Sequence, residues 1–119
     1  LFLSHSKGGI IAKYYMDQNE DSVRCSISIA TPYLGTILGY IRIFSLNEVI
    51  PNSSTIKRML SVTKNNQKIV NIYAKVDNHI LPNKNAILPG ARNIMINVVG
   101  HTRILEDKKT QEAIDKELL

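Results

Sequence analysis

The chain of 119 residues has one cysteine, no tryptophan and 6% aromatic residues. A single Cys25 excludes an internal disulfide, so no covalent staple supports the fold. Because it opens an apolar stretch, it is expected as a buried structural thiol. No apolar run approaches the roughly 20 residues that cross a bilayer. A signal peptide or anchor ahead of Leu1 is left open, and the compartment with it, a cytoplasmic one being favoured. Internal repeats are absent. Fifteen basic against 10 acidic residues give a net charge of +5, yet Lys7, Lys13, Arg24, Lys57, Arg58 and their fellows are scattered. Without a basic block or an interleaved aromatic platform, no nucleic-acid partner is expected, and the lysines are read as a solvated surface. The three histidines, His5, His79 and His101, are not closely paired in sequence with Cys or a carboxylate, so neither a metal nor a cofactor is expected. Lys7 follows a strand, but the glycine spacing of a phosphate-binding loop is missing.

What is present is a globular composition, 44% hydrophobic, in alternating strand and helix patterns. Leu1 to Leu3 reads as the end of a strand, and a chain that opens inside a strand reads as the C-terminal part of a larger domain. Lys7 to about Gln18 has helical spacing, with Ile10, Ile11, Tyr14 and Tyr15 as its apolar stripe. Arg24 to Ala30 is a second strand, ending at Thr31-Pro32. The weakly periodic stretch that follows predicts two short helices, Ile37 to Phe44 and Ser54 to Leu60. An excursion of this length between strands points to a lid-like insert, 37–67. Lys68 to Val76 and Asn93 to Val99 are further strands. Ile104 to Leu119 closes the chain as a helix, with Leu105, Ala113, Ile114 and Leu118 for its buried face. Strands separated by helices predict an α/β fold, a parallel sheet with helices on both faces.

The most informative stretch is Leu1-Phe2-Leu3-Ser4-His5-Ser6-Lys7-Gly8-Gly9-Ile10. A serine between an apolar strand and a helix, with small residues two before and two after, fits a tight turn that pushes the hydroxyl outward. Gly9 lets the helix approach the sheet closely. Ser6 as a mere helix cap is the competing reading. In a parallel sheet functional groups gather at the carboxyl ends of strands, and three polar residues fall at such ends: Ser6, Asp77 and His101. Asp77 could instead serve only a turn with Asn78, and His101 a surface loop. His5, next to the serine, is expected to point away and pack structurally, and His79 to be a loop residue.

Taken together, SHSKGG, SIATPYLGT, IYAKVDNHILP and VVGHTRIL, with EVIPNSSTIKRML more weakly, resemble the C-terminal half of an α/β-hydrolase, on its lipase and esterase branch near triacylglycerol lipases and GPI inositol-deacylase-like proteins. Ser4 stands where that family usually has Gly. The resemblance implies that residues 1–119 form the C-terminal part of a single hydrolase domain, with its N-terminal strands absent. It also implies a catalytic triad of Ser6 nucleophile, His101 base and Asp77 acid, with the backbone N–H of Lys7 in the oxyanion hole. The second oxyanion donor would lie upstream of Leu1, so this chain alone is expected to turn over little or nothing. The implied substrate is a small-molecule ester, lipid-like if Ile37, Leu38, Tyr40, Ile41, Ile43 and Phe44 line an acyl site, with transient contact to a lipid surface. If those residues complete the core instead, that argument falls. The alternatives are a truncated, non-catalytic scaffold of this fold, or an acyltransferase or thioesterase using the same triad.

Overall fold

In the computed structural model, residues 1–41 and 47–119 are described. Four strands form one sheet: β1 (Phe2–His5), β2 (Ser26–Ile29), β3 (Ile69–Val76) and β4 (Arg92–Val99). They lie side by side in chain order and every pairing is parallel. Helix α1 (Lys7–Gln18) joins β1 to β2, and α2 (Ser54–Ser61) lies within the long passage from β2 to β3. Two further helices, α3 (Arg103–Glu106) and α4 (Lys108–Leu118), follow β4. The chain is therefore of the α/β class.

Each face of the sheet carries its own apolar core, because strand side chains alternate between faces. On one face Ile10 and Met16 of α1 pack with Ile56 and Met59 of α2, Ile69, Tyr33 and Leu88. On the other, Ile27, Ile29, Val70, Ile72, Ala74 and Ile96 pack with Ile104 of α3, and Ala113 and Ile114 of α4 lie against them. The inner strand β2 is buried at every position, its serines as well as its isoleucines, and β3 over its first four residues, as strands covered on both faces are.

Several sequence expectations shift in detail. The buried face of α1 is Gly9, Ile10, Ala12, Lys13 and Met16, whereas Ile11, Tyr14 and Tyr15 are exposed. Small residues at 9 and 12 bring the helix axis close to the sheet, and that rotates the bulky side chains outward. Lys13, read as surface charge, is wholly buried. Its ammonium group donates to Asp17 at 2.6 Å and to the Val62 carbonyl at 2.7 Å, so it fastens α1 to the end of α2. The segment read as a helix from Ile37 to Phe44 is a short 3-10 turn over Ile37–Tyr40, capped by Thr36. Gly39 and β-branched Ile37 make poor α-helix, and the end of that segment, with Ile43 and Phe44, lies outside the described residues. The closing helix breaks at Asp107, whose extended backbone and carboxylate cap α4 through the Lys109 N–H at 2.8 Å. Its buried positions are accordingly Ile104 and Thr110, while Leu105 and Leu118 are exposed. Cys25 is only half-buried.

Gly9 is where α1 touches the sheet connection. A Cβ there would lie 2.1 Å from Thr31 Oγ1 and 2.7 Å from its Cγ2. Gly9→Ala should gain about 0.5–1 kcal/mol of helix propensity and lose more to overpacking, typically about 1–3 kcal/mol. The expected outcome is a lower melting temperature than wild type, measured by calorimetry, and partial recovery when Thr31→Ala is added.

Candidate active site

Because all four strands run the same way, their carboxyl ends share one rim; Ser6 and Asp77 follow β1 and β3 directly, and His101 follows β4 after Gly100. The turn after β1 is held by the Ser6 N–H donating to the Ile29 carbonyl at 2.8 Å. Ser6 has φ 55° and ψ −130°, and its side chain caps nothing in α1. For a side chain with a Cβ this conformation is strained. The competing reading of Ser6 as a helix cap is thereby removed, since the hydroxyl is turned toward His101 instead.

The histidine has to cross the ends of β2 and β3 to meet the serine. A register shift between Ala74 and Val76 puts an extra residue into β4, which bends the strand end. Gly100, at φ +129°, then turns the chain, and its N–H donates to the Val76 carbonyl at 2.9 Å. His101 Nε2 lies 2.9 Å from Ser6 Oγ. Its Nδ1 lies 3.0 Å from each oxygen of Asp77. An ionised carboxylate can only accept, so Nδ1 carries the proton and Nε2 accepts from the serine hydroxyl. The three residues sit 95 positions apart at the extremes and form one continuous hydrogen-bonded relay.

Asp77 is deeply buried. Burial by itself would raise its carboxyl, but the hydrogen bonds from His101 and from the His79 N–H outweigh it and hold the group below the ordinary value. Asn83 Oδ1 accepts from the Asp77 N–H at 2.7 Å, and its amide donates back to Lys75 O and Ala74 O. Asn78 Oδ1 accepts from the His101 N–H at 2.9 Å, linking the loop that carries the acid to the loop that carries the base. These asparagines were not singled out from the sequence. Asp-Asn reads there as turn chemistry, and which backbone an amide reaches is set by tertiary placement.

His5 does not point away. Its Nε2 donates to the His101 carbonyl at 3.1 Å, and its ring centre lies 4.7 Å from that of His101. His79 is a loop residue as expected, but its ring meets that of His101 edge to face at 4.4 Å. Burial first, and then the imidazole of His101, hold His79 below the usual histidine value. The premise that the histidines stand apart from carboxylates fails: His79 lies two residues from Asp77 in the sequence, and in space Asp77, His79 and His101 come together.

Lys7 is the first residue of α1, so its N–H belongs to the helix turn whose amides have no acceptor within the helix, next to the serine. Its side chain pairs with Glu48 at 2.7 Å, joining the serine turn to the insert. From Lys7 a groove of about 690 Å³ runs along the exposed side of α1, past Ile11, Tyr14 and Arg58. None of Ser6, Asp77 and His101 lines it, so the groove is adjacent to the relay and distinct from it. The insert begins against the acid loop: Thr36 Oγ1 donates to the His79 carbonyl at 2.9 Å, and the Ile37 N–H donates to the Leu81 carbonyl at 2.9 Å. Within the insert Val49, Ile56 and Met59 complete the core, Leu38 is partly buried against it, and Ile37, Tyr40 and Ile41 are exposed. No family model and no curated protein matches the chain.

Proposed function

We propose that this chain carries the catalytic rim of a serine hydrolase of the α/β-hydrolase type, cleaving carboxylic esters of lipid-like character. The observation that carries the reading is the Ser6–His101–Asp77 relay, bonded at 2.9 and 3.0 Å. Serine is a poor nucleophile until a base removes its proton, and a neutral imidazole suits that task near pH 7. His101 Nε2 takes the proton as Ser6 Oγ attacks the ester carbonyl carbon. Asp77 holds the tautomer and stabilises the imidazolium that forms. The Lys7 N–H donates to the developing oxyanion; one such donor is typically worth about 10²–10³ in rate. His101 then protonates the departing alcohol, and water repeats the sequence on the acyl-serine. The start of the lid-like insert supplies Ile37, Tyr40 and Ile41 as an apolar surface for the acyl chain.

The test is a fluorophosphonate probe, which phosphonylates activated serines. One label per chain, mapped by mass spectrometry to the peptide holding Ser6, supports the reading, as does faster release from medium-chain than from acetyl esters. An unlabelled Ser6 overturns it and leaves a non-catalytic scaffold. Labelling with transfer to an added alcohol or thiol, and no ester hydrolysis, points to an acyltransferase.

Asn78 is a positioning residue in this scheme. Asn78→Leu removes the acceptor for the His101 N–H and should slow labelling of Ser6 by about tenfold, the equivalent of about 1.4 kcal/mol. Asn78→Asp keeps an acceptor oxygen and should recover most of the rate. Equal rates in the two variants would remove Asn78 from the scheme.

A further inference from the structure

Among the described residues, Asp77, His79 and His101 each offer a ligand atom within 4.8 Å of the others. Two imidazoles and a carboxylate make a donor set suited to zinc that leaves a coordination position open. The three groups come from two loops only, residues 77 to 79 after β3 and His101 after β4. Both loops are braced, by Asn83 on Asp77 and by Asn78 on the His101 N–H. Zinc holds nitrogen and oxygen ligands at about 2.0–2.2 Å, so two ligands of one tetrahedral ion lie about 3.4 Å apart. The group therefore closes on an ion by movements of roughly an ångström, within reach of side-chain rotation. His79 is partly exposed, which gives an ion a way in.

We propose that Asp77, His79 and His101 form an inhibitory site for zinc or a similar transition-metal ion, in which His79 converts the catalytic pair into a chelate. Occupancy and catalysis exclude each other. His101 needs Nδ1 for its bond to Asp77 and Nε2 for the serine proton, and a metal on either nitrogen removes the base. The carboxylate that orients the ring is taken at the same time. The inhibitory consequence rests on the serine-hydrolase reading; the binding site itself does not. Hard ions such as magnesium, which favour all-oxygen sets, should have no effect.

The experiment has two arms. In the first, zinc chloride is titrated into the Ser6→Ala protein against a fluorescent zinc indicator. One ion per chain at micromolar affinity is expected, weakened at least tenfold by adding His79→Gln and largely regained with His79→Cys, which restores a ligand. In the second, fluorophosphonate labelling of the wild-type chain is followed with added zinc. Labelling should slow at micromolar zinc, recover with EDTA and ignore magnesium, and His79→Gln should need at least tenfold more zinc for the same slowing. Zinc affinity unchanged by His79→Gln, or zinc bound without slowed labelling, overturns the proposal. If Ser6 fails to label without zinc, the hydrolase reading fails, while the binding arm still decides the metal site.

Discussion

Replacing Ser6 by alanine is expected to abolish fluorophosphonate labelling and to lower any ester turnover by on the order of 10⁶, because a triad acts as a unit and loses nearly everything with its nucleophile. The fold should survive. Alanine keeps the Cβ and loses one hydrogen bond, worth about 1 kcal/mol. Ser6→Gly separates function from stability more sharply. At φ 55° and ψ −130° the wild-type residue bears strain of about 1–3 kcal/mol, which glycine does not. Against that stands glycine's greater freedom when unfolded, about 0.5–1 kcal/mol. Ser6→Gly should therefore be as stable as wild type or more so, while remaining unlabelled. Urea denaturation of the three proteins measures this. A glycine variant less stable than the alanine variant would show that the turn is not strained, and would weaken the case that the fold bears a cost to present this hydroxyl.

The succession of strands and helices along the chain, and the rim that parallel strands share, are legible because Ile-rich runs, short polar breaks and helical spacing all agree over Lys7–Gln18, Ser26–Ile29 and Lys68 to Val76; which strand lies beside which is not. The Ser6 turn was legible because only small residues fit around it. Three kinds of feature were not. The face of α1 is not legible because counting apolar residues favours Ile11, Tyr14 and Tyr15, whereas close approach at Gly9 and Ala12 decides which side is buried. The burial of Lys13 is not legible because charge is normally solvated. Its burial depends on Asp17 one turn along and on a carbonyl 49 positions away, and removing one partner of such a pair costs about 3–5 kcal/mol. The asparagine bracing was invisible for a similar reason. Asn71 donates to Asn93 Oδ1 and to the Ala86 carbonyl, both at 2.7 Å, and Asn93 holds both Leu88 and Ala91. This polar chain fixes the passage from the acid loop to β4, yet each asparagine alone reads as loop composition. His5 reads as a spectator because it is the serine's immediate neighbour, and His79 because it falls in a polar loop. Here the crossing of the His101 loop over the rim brings both rings against the base.

Asp77→Asn is expected to slow ester turnover, or the rate of Ser6 labelling where turnover is too slow to follow, by about 10⁴. The amide is nearly the same size as the carboxylate, so packing around it should hold, and the Asn83 and His79 backbone contacts survive. What changes is the direction of one hydrogen bond. An amide nitrogen can donate to Nδ1, which favours the imidazole tautomer with its proton on Nε2, facing Ser6, where it cannot accept. A second measurement ties this to stability. The folded carboxyl of Asp77 lies below its ordinary value of 3.8, so the charged form contributes stability above that pH. The contribution is lost as pH falls through the depressed folded value. Wild type should therefore exceed Asp77→Asn in stability near neutral pH, and the difference should shrink below about pH 4. Denaturation of both proteins from pH 2 to 7 measures this difference, and its part below about pH 4, where the histidines stay protonated, follows the Asp77 carboxyl. A difference that does not depend on pH would mean that the carboxylate is held by packing alone, and the electrostatic support for an imidazolium at His101 would go with it.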